Sequence, residues 1–131
     1  MSKYYTPTIE EFHVGFEFES NYTLFSKDRE WTKCKLDENN TWFIEEWYVD
    51  AVPTEFRVKY LDREDIESLG FEHTDGNDRF AWFKSGKWIM QFNVGHCHIH
   101  TGNDMLRHFS GYIKNKSELK RILKQICYEA N

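Results

Sequence analysis

The chain of 131 residues has little of what punctuates or staples a fold: two prolines, seven glycines and three cysteines. Cys34, Cys97 and Cys127 are odd in number and contain no Cys-x-x-Cys pair. Neither a disulfide framework nor a zinc ribbon is indicated, and reduced thiols in a cytoplasm are expected. No apolar run reaches the roughly 18 residues of a membrane-spanning helix. The opening Met1-Ser2-Lys3-Tyr4-Tyr5 stretch lacks the apolar region of a secretion signal. Basic charge is also short, with 17 Lys and Arg against 22 Asp and Glu, a formal net charge of −5. That balance argues against a general duplex nucleic acid binder, which needs a basic face. It leaves room for a small anionic ligand held by local cations. No Gly-x-Ser-x-Gly, P-loop or Gly-x-Gly-x-x-Gly motif occurs, and no Ser or Cys has neighbours that suggest activation.

What the chain has is rings. Phe (11), Tyr (7) and Trp (5) make up 18% of it, within a hydrophobic total of only 40%. A core built largely from rings can offset the ordering entropy of the chain, so a disordered protein is excluded. The length suits one domain, residues 1–131.

Local patterns predict the elements. Thr8-Ile9-Glu10-Glu11 has capping-box spacing, so one helical turn is expected before the first strand. Along 12–19, Phe12, Val14, Phe16 and Phe18 alternate with His13, Glu17 and Glu19, as in a half-buried strand. Two strands are expected between Trp31 and Asp50, around a turn at 35–40. Phe56, Val58 and Tyr60 alternate with Glu55, Arg57 and Lys59 in another strand. Asp62 can cap a short helix with Leu61 and Ile66 at the staple positions and Gly70 as the stop. Asp75-Gly76 and Ser85-Gly86 read as hairpin turns. A Ser85-Gly86 loop would pair Phe83 with Trp88 and set Trp82 on the opposite face. Asn115 and Glu118 fit a helix N-terminus, and Leu119, Ile122, Leu123 and Ile126 form one apolar stripe. Lys120, Arg121 and Lys124 face away from it, a docking surface for an acidic host protein if not merely a solvated face.

Two constellations can carry chemistry. In His96-Cys97-His98-Ile99-His100, positions i, i+2 and i+4 of a strand share a face, so the three histidines align. Two of them could hold one metal, with Glu17 and Glu19 as further donors; a zinc hydrolase is the enzyme alternative. Register decides the matter: a bulge at Gly95 sends Cys97 and Ile99 into the core, and without it the histidines point inward. The second constellation is the tryptophan surplus. Trp42, Trp47 and Trp82, interleaved with Arg57 and Arg79, are expected to stack a base and pair a phosphate, with His98 and His100 completing the site.

Three stretches are informative together: Tyr5-Thr6-Pro7-Thr8-Ile9-Glu10-Glu11-Phe12-His13-Val14-Gly15-Phe16-Glu17-Phe18-Glu19, Val58-Lys59-Tyr60-Leu61, and the capped helix from Tyr112 to Leu123. In them the chain resembles a group of small uncharacterised proteins of bacteriophages and Bacteroidetes. The likeness covers about half the chain and leaves out the Trp-rich middle. It implies a host-directed role, such as sequestering a nucleotide signal of host defence, and assigns no site residue.

The expectation is an α+β protein: a mainly antiparallel, curled sheet or half-barrel of six to eight strands, one short central helix and one C-terminal helix. The expected function is non-enzymatic binding of a small anionic nucleotide, without cofactor, in a cytoplasmic homo-oligomer that contacts neither duplex nucleic acid nor membrane.

Overall fold

The computed structural model describes residues 3–22, 28, 30–38, 55–102, 107–126 and 128. Trp42, Trp47 and Cys127 lie outside the described residues. The chain divides into two compact units, Met1–Lys59 and Tyr60–Asn131. Each has its own apolar cluster. The class is α+β, and the described strands form two antiparallel sheets, of four and five strands, neither closed into a barrel. One sheet of six to eight strands is therefore replaced by two. Alternation tells a strand which face to bury, but not which strand to bury it beside.

The first unit holds β1 (Tyr4–Tyr5), β2 (Glu17–Ser20), β3 (Thr32–Lys35) and β4 (Phe56–Lys59), in the order β1-β4-β2-β3. The capping box forms: a 3-10 turn spans Ile9–Glu11, and the Thr8 N–H donates to Glu11 Oε2 at 2.7 Å. The core is a nest of rings with Leu36 and Val58. Phe12 meets Phe16, Phe18 and Phe56 edge-on at 5.0, 5.2 and 5.7 Å. Such pairs add about 0.5–1.5 kcal/mol each beyond the area they bury. The expected alternation over 12–19 breaks at Val14, which is 53% exposed. Gly15 turns the chain at φ +91°, and the Phe16 N–H donates to the His13 carbonyl at 2.9 Å. The ladder therefore starts only at Glu17.

The second unit runs α1 (Arg63–Ser68), β5 (Glu72–Gly76), β6 (Phe80–Ser85), β7 (Trp88–Asn93), β8 (His96–Thr101), β9 (Arg107–Tyr112) and α2 (Lys116–Gln125). Its five strands pair in chain order as a meander. Both helices form as their sequences direct. Asp62 Oδ1 accepts the Asp65 N–H at 3.0 Å, and Asn115 Oδ1 accepts the Glu118 N–H at 2.8 Å. Ile66 of α1 and Leu119, Ile122 and Leu123 of α2 join one cluster with Ala81, Phe83, Trp88, Met90, Phe92, Cys97 and Ile99. The helices thus cover a single face of the meander.

Three turns differ from expectation. Asp75-Gly76 is not the β5–β6 turn: both residues end β5 opposite Trp82 and Ala81, and the chain turns after Asn77, whose N–H donates to the Phe80 carbonyl at 2.8 Å. The β6–β7 turn is Gly86-Lys87, so Ser85 pairs with Trp88 and Phe83 with Met90. Ser85 is drawn into the strand because its buried hydroxyl shares a hydrogen bond with Tyr128 Oη at 2.9 Å. Trp82 still faces away from Trp88, as expected. Between β7 and β8 there is no bulge. Val94 and Gly95, at φ +46° and +91°, form a two-residue turn that pairs Asn93 with His96 and Phe92 with Cys97. A turn restarts the alternation, so Met90, Phe92, Cys97 and Ile99 all reach the core.

Two residues at positive φ, Gly76 and Val94, give stability tests. Gly76 sits at φ +89°, and a Cβ there would lie 2.0 Å from the Phe80 carbonyl oxygen. Gly76→Ala is expected to cost more than about 2 kcal/mol, from left-handed strain plus a backbone clash. Val94 bears a β-branched side chain at positive φ, which costs about 1 kcal/mol relative to Asn in this turn type. Val94→Asn is expected to raise Tm by about 4–8 °C. Thermal unfolding followed by circular dichroism checks both; a lowered Tm for Val94→Asn contradicts the turn assignment.

Candidate functional site

Covering one face of the meander leaves the other to the alternate residues of β5 to β9. The ladder sorts them into rows across the strands. One row holds Glu72, Lys84, Ile89, His100 and Arg107. The next holds Asp75, Trp82, Gln91, His98 and Ser110. The third holds Phe80, Asn93, His96 and Tyr112. Phe80, Trp82 and Tyr112 are large rings left 54%, 39% and 50% exposed. The same pairs that bury Phe92 against Cys97 and Met90 against Ile99 thus turn three histidines and three rings outward.

The outward groups touch one another. The rings of His96 and His98 lie 5.9 Å apart, and Trp82 sets its ring edge-on to His100 at 6.5 Å. Ser110 Oγ lies 2.9 Å from His98 Nδ1, which holds the imidazole in one orientation and leaves Nε2 for a ligand. The Tyr112 phenol is pushed above its ordinary value by burial and by nearby Tyr60 and Glu118. It therefore stays a neutral ring with a donor. The acidic excess of the protein does not fall on this unit. Residues 60–131 carry ten basic and ten acidic side chains, whereas residues 1–59 carry seven and twelve.

Of the residues expected to bind a ligand, the meander brings together Trp82, His98 and His100. Arg79 sits one residue before Phe80, and its carbonyl accepts the Val94 N–H at 2.8 Å. Arg57 belongs to the first unit, where its guanidinium lies over the rings of Tyr4 and Trp31 at 3.9 and 4.2 Å. It also pairs with Glu19 at 2.8 Å. A guanidinium sandwiched between two rings and bonded to a carboxylate is already committed, so its role is to tie β4 to β2. Trp42 and Trp47 fall outside the described residues.

The metal alternative is divided in the same way. His96, His98 and His100 lie in the second unit, and Glu17 and Glu19 in the first, opposite Lys35 and Lys33. Among the described residues no three His, Cys, Asp or Glu side chains gather into a metal-holding group. Lys120, Arg121 and Lys124 are exposed on α2, as the stripe on its other side requires. Sequence reading missed Phe80, Gln91, Ser110 and Tyr112. Phe80 has the parity of Trp82 and was legible; Arg107–Tyr112 shows no apolar alternation that would announce β9.

No family model, curated protein or solved structure matches this chain.

The free thiols are chemically quiet. Burial pushes Cys34 from the ordinary 9.0 up to about 11, and Cys97, with Glu118 adding a smaller push, up to about 12. A thiol that holds its proton longer when folded favours the folded state below pH 9.0, and that contribution is lost as pH rises towards about 12. Stability is therefore expected to fall from pH 9 upward, with a flatter decline in Cys97→Ala; equal slopes in denaturant titrations would count against the assignment.

Proposed function

We propose that the protein is a non-enzymatic binding protein that takes a nucleotide on the outward face of the meander. The base stacks on Trp82, beside His100. The phosphate meets the cations of that face, Lys84 and Arg107, which stand in the same row as His100, Arg107 beside it and Lys84 beyond Ile89. His98, oriented by Ser110, and Gln91 supply the polar contacts to the edge of the base. The observation that carries this reading is the convergence of Trp82, His98 and His100 on the sheet face opposite α1 and α2, with exposed Phe80 and Tyr112. Solvent-facing rings give up little to desolvation on binding, and every base offers a π-face to them. The resemblance to small phage and Bacteroidetes proteins, carried by residues 5–19, 58–61 and 112–123, is the reason to try a host nucleotide signal first.

Calorimetry with nucleoside monophosphates and cyclic dinucleotides tests the proposal. Losing the stacking partner is worth about 1–3 kcal/mol, so Trp82→Ala is expected to weaken binding roughly 5- to 150-fold. Absence of heat at high micromolar ligand across the whole panel would overturn it.

A further inference from the structure

The outward face carries more rings than one base can use. Successive outward residues of a strand stand about 6.5–7 Å apart. At that step the rings recur through all three rows: His100, then Trp82 with His98, then Phe80 with His96 and Tyr112. A mononucleotide stacked on Trp82 leaves the third row unused, although its two large rings are the most exposed of the face.

Charge follows the same axis. Lys84 and Arg107 stand in the first row. Arg79 precedes Phe80 in the turn before β6 and is not one of the row residues. The acids in the rows, Glu72 and Asp75, both stand on β5, while Glu118 of α2 comes near Tyr112 in the third row. Neutral Gln91 and Asn93 on the central strand lie between, opposite His98 and His96. Such a surface has stacking platforms in series, cations in its first row and amides on its central strand.

We infer that the ligand of this face is a single-stranded oligonucleotide of at least three nucleotides, laid parallel to β6 and β8 with one base on each row. This rests on the nucleotide reading and names the class of nucleotide. Duplex is a poor occupant, because its bases are stacked on one another and unavailable to Phe80 and Trp82.

The test titrates the full chain, by tryptophan fluorescence and calorimetry, with thymidine monophosphate and with oligothymidylates of two to six nucleotides. Affinity is expected to rise at least fivefold with the second base and again with the third, then level off. The trinucleotide complex should lose affinity with salt more steeply than the mononucleotide complex. Phe80→Ala and Tyr112→Ala are expected to remove at least half of the logarithmic gain from the third base, with mononucleotide affinity unchanged. Both side chains are exposed, and the thermal melt reports whether each variant is folded. If the mononucleotide binds and the trinucleotide binds no tighter, or if both variants keep the full gain, the oligonucleotide inference falls and the nucleotide reading stands. If neither ligand binds, both fall.

Discussion

Two short helices can cover only one face of a five-stranded meander. Everything distinctive about the second unit follows from that. Ile66, Leu119, Ile122 and Leu123 seal the face that presents Phe83, Met90, Phe92 and Ile99. Because a strand alternates, each inward residue obliges its neighbours outward. Trp82 is exposed because Ala81 and Phe83 are buried, and His98 faces out because Cys97 and Ile99 face in. The candidate site is thus the complement of the core, and its composition is what remains once the core has been filled.

The tight turns transmit the constraint from strand to strand. Val94-Gly95 does so at a cost, since a β-branched residue is held at φ +46°. Its backbone is secured on both sides: the Val94 N–H donates to the Arg79 carbonyl, and the Gly95 carbonyl accepts the Ile113 N–H, each at 2.8 Å. Tyr128 closes the same unit from the far end. It stacks on Phe71 at 4.8 Å, donates to the Leu69 carbonyl at 2.9 Å and shares a bond with Ser85. A residue just past α2 thereby anchors the end of β6.

The first unit solves its packing differently. Its inner face is a cluster of phenylalanines, and its outer face is a ladder of opposite charges, with Glu17 opposite Lys35 and Glu19 opposite Lys33 and Arg57. Such cross-strand pairs contribute about 0.2–1 kcal/mol each. The guanidinium of Arg57, between Tyr4 and Trp31, is the most constrained charge there. The groups that looked available in the sequence, Glu19 and Arg57, hold each other.

The sequence by itself determined the local features. Thr8 and Glu11, Asp62 and Gly70, Asn115 and Glu118, and the stripe from Leu119 to Ile126 act over three to eight residues, within reach of one turn or one short helix. The opposition of Trp82 and Trp88 was legible for the same reason. Tertiary structure alone decided the rest. The outward direction of the histidines depends on whether the alternation of β7 runs on unbroken into β8 or restarts at Val94-Gly95, and only the pairing of β7 with β8 and the burial of Cys97 settle that. The engagement of Arg57 by Glu19 joins side chains 38 residues apart. The assembly of Phe80, Trp82, His98 and Tyr112 into rows spans four strands and depends on register. Periodicity records which way each side chain points along its own strand. It carries no information about the strand beside it, and that neighbour is what turns separate outward residues into a surface.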